Sequence, residues 1–132
     1  MVHLSGWRAH LCWALLTLIP CLSAQDWSQW RGAGGDGKAA GPGARTHWPA
    51  ELTLKWRQAV GLGEATPALV GDRLFVFGRQ GDEEVVACLR AANGESLWRH
   101  AYPAVTVTGP AAKYQGPRSS VAVSQGNVVA LG

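Results

Sequence analysis

Charge is scarce in this chain: only 16% of its 132 residues are Asp, Glu, Lys or Arg. The net charge of +3 is carried by single Arg and Lys residues scattered between apolar runs. A surface that tracks a phosphate backbone needs its basic residues clustered on one face, so no nucleic acid is expected as a partner. Long apolar runs are equally scarce. The longest, Leu11 to Ile19, falls far short of the roughly 20 residues that span a bilayer, and no later segment comes closer. Cysteine is rare too, with 3 in all.

What surrounds that apolar run explains it. Arg8 precedes it as the first formal charge, and the small residues Ser23 and Ala24 follow it. That order is a secretory signal peptide over residues 1–24 rather than a transmembrane anchor, and the expected location is secreted or periplasmic. Lipid anchoring at Cys21 is disfavoured, because Pro20 sits where a small residue is needed. Cleavage near Ala24 removes Cys12 and Cys21 and leaves Cys88, which alone forms no internal disulfide. Its neighbours Val85, Val86, Ala87 and Leu89 place it in a buried strand; a catalytic thiolate would need a His or cation that no motif supplies.

Residues 25–51 are rich in Gly, Trp and Pro, show no sustained period, and form an irregular N-terminal arm. Gly32, Gly34 and Gly37 fit a dinucleotide fingerprint, and Gly37-Lys38 fits part of a phosphate loop. Such a cradle needs a strand before the glycines and a helix after them. The following AAGPG cannot start a helix, and Ala39 replaces the hydroxyl that would hold Mg²⁺. Trp27, Trp30 and Trp48 could bind sugar, yet an arm of this composition is expected to cover the apolar side of a sheet.

From Leu52 onward short β-prone runs alternate with turn pairs. Gly71-Asp72, Gly81-Asp82 and Asn93-Gly94 separate ATPALV, RLFVFG, EEVVACL and ESLWRHAY, so an all-β domain of antiparallel hairpins is expected over 52–132. Leu52 to Val60 is expected to be one further strand that precedes them. Two echoes organise these runs. The Trp-Arg pairs at Trp56 and Trp98 lie 42 positions apart, inside the roughly 40–45 residue period of a four-stranded propeller blade. The run ATPALVGDRLFVFG, Ala65 to Gly78, aligns without a gap on SSVAVSQGNVVALG, Ser119 to Gly132, at an offset of 54. Pro103 to Arg118 absorbs the difference as an extended connection.

The run LRAANGESLW, Leu89 to Trp98, resembles the repeat of pyrroloquinoline quinone (PQQ)-like β-propellers, whose signature reads A-x-D-x-x-T-G-x-x-x-W. Gly94 and Trp98 match its last two fixed positions, while Cys88, Arg90 and Asn93 stand at the Ala, Asp and Thr positions. The frame from Asp26 to Gly132 is similar to the start of secreted bacterial proteins of that type. The resemblance implies four-stranded antiparallel blades around an axis, with Trp residues stacked between blades, and makes Asn93, Gly94, Trp98 and Trp56 the structural blade motif. The chain would supply one full blade, half of the next and one preceding strand. A closed ring needs about four to eight blades, so the chain is expected to be an N-terminal fragment, its remaining blades missing.

Two functions accord with that resemblance. One is a non-catalytic scaffold that presents its surface to proteins or cell-envelope components. The other is the N-terminal part of a PQQ- and calcium-dependent quinoprotein alcohol dehydrogenase. No catalytic, cofactor-binding or metal-ligating residue can be assigned in this stretch, although PQQ and calcium would be possible in a longer protein. Asp82, Glu83 and Glu84 alternate across a strand and cannot converge. His47 and His100 have no carboxylate near them in sequence. Trp98 is expected to be largely buried against Leu74 to Phe77.

Overall fold

A computed structural model describes residues 25–39 and 47–132. The proposed signal peptide and Cys21 lie outside the described residues. Among the described residues all regular structure except one 3₁₀ turn is β, as expected: β1 (Ala68–Val70), β2 (Arg73–Gln80), β3 (Glu83–Arg90), β4 (Ser96–Pro103), β5 (Ala122–Ser124) and β6 (Asn127–Val129). The first four form one antiparallel sheet in the order β1-β2-β3-β4, and β5-β6 is a separate hairpin. Among the described residues, no helix is long and apolar enough to cross a membrane.

The turn pairs do most of this ordering. Gly71-Asp72 and Gly81-Asp82 each close a two-residue hairpin, with Gly71 and Gly81 at positive φ. Asn93-Gly94 works within a longer loop instead. The Gly94 N–H donates to the Arg90 carbonyl, Asn93 Oδ1 accepts from the Glu95 N–H, and the chain returns only at Ser96. Opposite that loop β4 carries one extra residue, Leu97, between the partners of Cys88 and Leu89. Such a bulge bends the edge strand.

The register places Phe75 opposite Cys88, Phe77 opposite Val86 and Cys88 opposite Trp98, all on one face. The β5-β6 hairpin and its approach pack on that face. Ala68, Phe75, Phe77, Val86, Cys88 and Val121 form one buried cluster, which Val123 and Val128 adjoin. Burying each of the larger side chains contributes about 1.5–3 kcal/mol. The offset echo is carried into three dimensions. Ala68–Val70 maps onto Ala122–Ser124, the start of β2 maps onto Asn127–Val129, and Thr66 N–H donates to Ser120 Oγ, its own counterpart 54 positions on. The two sheets meet at their first strands, β1 and β5.

The arm is bound to both units. Trp27 exchanges backbone hydrogen bonds with Leu69, of 2.7 and 2.9 Å, and Ser28 accepts from the Val123 N–H at 2.8 Å. Leu69 and Val123 are equivalent positions. Asp26 accepts from the Gly71 N–H at 2.7 Å and so fixes the β1-β2 turn. Of the arm tryptophans only Trp27 takes the covering role expected of them: Trp30 and Trp48 are 63% and 70% exposed. The described part of the glycine-rich stretch, residues 29–37, is a chain of turns and bends.

The strand expected over Leu52 to Val60 is not formed. Its last residues run over the second face of the main sheet, where Gln58, Ala59 and Val60 face Val76, Val85 and Leu89. A backbone that crosses a face cannot ladder with a strand edge, and only Leu62 pairs, with Arg79, in an isolated bridge. Gly78 permits the crossing: a Cβ there would lie 2.5 Å from the Val60 carbonyl oxygen. β2 is thus covered on both faces, and its interior from Phe75 to Arg79 is buried.

Candidate functional site

Of the four blade-motif residues, the structure brings Trp56 and Gly94 together. The Trp56 ring lies on the Gly94 backbone, where a Cβ would be 2.6 Å from Cε3, and its Nε1–H donates to the Ala91 carbonyl at 3.0 Å. Only glycine fits there, since Gly94 also has φ +74°. Asn93 shapes the same loop. Trp98 projects to the opposite face, toward the hairpin, with its ring centroid 6.0 Å from that of Phe75. The expected neighbour is correct and the expected depth is not, because Trp98 remains 38% exposed. It sits on the edge strand, and the short β5-β6 hairpin leaves it partly uncovered.

The buried polar groups have structural partners. Arg79 is 5% exposed and donates to the carbonyls of Gly81, Ala104 and Val105 at 2.9 to 3.1 Å. It ties the loop after β4 to the β2-β3 turn. A guanidinium suits this task because its five donors are held in a fixed fork. Glu84, in register with Arg79, accepts from the Tyr102 hydroxyl at 2.7 Å. Burial, with the Glu84 hydrogen bond and charge behind it, pushes the Tyr102 phenol up to about 12. Cys88 is fully buried, and burial pushes its thiol up against a smaller opposing pull from Arg73.

The acidic run behaves as its alternation requires. Glu83 lies 3.7 Å from Arg99, Asp82 lies 3.7 Å from Arg79, and Glu84 turns inward to Tyr102. His100 contacts the Tyr102 ring, whereas His47 lies outside any strand. Among the described residues, no group of three or more His, Cys, Asp or Glu is placed to hold a metal ion.

Open space gathers where the two units meet. A cavity of about 360 Å³ lies between Trp98, Phe75 and Arg73 of the main sheet and Val123 and Val128 of the hairpin. Another of about 540 Å³ lies at the starts of the two equivalent strands, between Trp30, Glu64, Thr66, Arg118 and Ser120. Neither Glu64 nor Arg118 belongs to a recognisable motif, so sequence reading passes over both. The legible signal was indirect: they flank the two ends of the offset echo, one residue before Ala65 and one before Ser119.

Comparison with known proteins returns no matching family model, no matching curated protein and no matching solved structure.

Proposed function

We propose that this chain is a secreted or periplasmic, non-catalytic binding scaffold of the PQQ-like β-propeller type, serving protein or cell-envelope partners. The observation that carries this reading is the stacking of two equivalent β units on one core, with the first a complete four-stranded meander and the second its opening hairpin. Units that repeat at a fixed offset and bury a shared face are the elements of an extendable array. The same stacking leaves β4 and β6 with unpaired outer edges and leaves Leu52, Leu54, Leu62, Val105 and Leu131 exposed. Edges and apolar side chains of this kind are where further repeats or partner chains add.

The reading is tested by mixing the purified chain with PQQ and Ca²⁺ and following cofactor absorbance and dye reduction with a primary alcohol. Neither stoichiometric binding nor turnover is expected. Turnover would replace the scaffold by the dehydrogenase reading.

A further inference from the structure

The cavity of about 540 Å³ between the units adjoins a second of about 430 Å³, and Glu64 and Arg118 line both. Each volume lies within the roughly 300–1,000 Å³ of small-ligand sites. The walls combine three kinds of group. Trp30 offers a ring that is 63% exposed. Thr66 and Ser120 offer hydroxyl groups, and the Ser120 oxygen already accepts from the Thr66 N–H, which leaves its O–H to donate. The third kind is charge. Arg118 and Lys113 both lie over the Tyr114 ring, at 5.5 and 5.1 Å from its centroid, and among the described residues neither has a carboxylate partner. Arg118 and Glu64 are the charged groups of these walls, while Lys113 beside Tyr114 and Arg31, 5.6 Å from the Trp30 ring centroid, add positive charge just outside them.

We propose that this double cavity binds an acidic oligosaccharide, a glycan whose sugars carry uronic carboxylates. The C–H face of a pyranose ring stacks on Trp30, a carboxylate takes two parallel hydrogen bonds from Arg118, and ring hydroxyls pair with Thr66, Ser120 and Glu64. Arg118 suits this role because its planar fork matches a carboxylate, while Lys113 adds attraction without geometry. The inference rests on the scaffold reading and names the ligand class of that scaffold.

The test is calorimetric titration of the full chain with tetragalacturonate and with its methyl ester, at fixed salt. The acid is expected to bind at least about tenfold tighter than the ester. Arg118→Gln should abolish that preference, and Trp30→Ala should weaken both ligands by about tenfold, with the unfolding transition unchanged because both side chains are exposed. Should Arg118→Gln not fold, Arg118→Lys reads the same contact and should weaken the acid several-fold. No binding at millimolar ligand, equal affinity for acid and ester, or affinity untouched by these substitutions would overturn the proposal. A PQQ and dye assay on the same sample separates the two readings. Turnover there sinks the scaffold, whereas absent glycan binding without turnover sinks only this site.

Discussion

The two halves of the offset echo begin alike and end differently. In each, a three-residue strand and a tight turn lead into a second strand, but β2 runs for 8 residues and β6 for 3. The apolar content of RLFVFG and NVVALG is similar, so local preference does not decide the length. Neighbours do. β2 has β1 on one side and β3 on the other and is covered on both faces, whereas β6 pairs with β5 alone. Strand length here is set by how many partners a sequence meets.

Hydrogen exchange should expose the largest difference between the units. Amides of Phe75 to Phe77 and Val85 to Cys88 are expected to exchange on the order of a thousandfold more slowly than those of Val128 and Val129, because opening of the short hairpin leaves the main sheet intact. Equal protection in both would mean that the units open as one and would break the comparison.

Turn glycines give the next largest effect. Gly94→Ala meets both the positive φ and the Trp56 ring and should cost about 3 kcal/mol, measured by denaturant unfolding. Gly126→Ala, at φ +78° with open space around it, should cost about 1 kcal/mol. Similar losses at the two sites would remove the role assigned to Trp56.

A pH scan sharpens the contrast further, since Tyr102 stands on β4, which has no counterpart in the second unit. Its phenol keeps its proton up to about 12 in the fold, while the unfolded chain releases it near the ordinary value of about 10. Stability is therefore fully present below about pH 10 and falls as pH rises toward 12. Tyr102→Phe should flatten that fall, and an unchanged profile would deny the buried pair with Glu84.

The echoed tryptophans differ more finely. Trp56→Phe removes the bond to Ala91 and should cost about 1 kcal/mol, against less than that for Trp98→Phe, which has no such bond. The smallest change has the opposite sign. Gln125, the counterpart of Gly71, has φ +49°, and Gln125→Gly should stabilise the hairpin by about 0.5–1 kcal/mol in thermal melts.

The all-β class, the three turns and the offset that maps β1 onto β5 were legible because each rests on near neighbours: alternation, turn chemistry and self-similarity. Leu52 to Val60 has the same β character and yet forms no strand, since the sequence does not say whether an edge is free to receive it. Arg79 was hidden for a related reason. It shares the parity of Phe75 and Phe77 and so points inward, but its partners, the carbonyls of Ala104 and Val105, belong to a loop whose path no pattern announces. The double cavity was less visible still, because Trp30, Glu64 and Arg118 come from three separated segments.

The arm that bonds Leu69 through Trp27 and Val123 through Ser28 also sets an order in time. These are the first described residues to be synthesised, and their partners include a strand made near the far end of the chain. Such distant pairs form only after the intervening loop has closed, at an entropic cost that local hairpins do not bear. The main sheet can assemble from neighbouring turns and take Trp27 onto Leu69, but Ser28 must wait for the second unit. Among these units the Ser28 contact is therefore expected to form after the main sheet, and Val123 amide protection should appear later in refolding than that of Phe75 to Phe77.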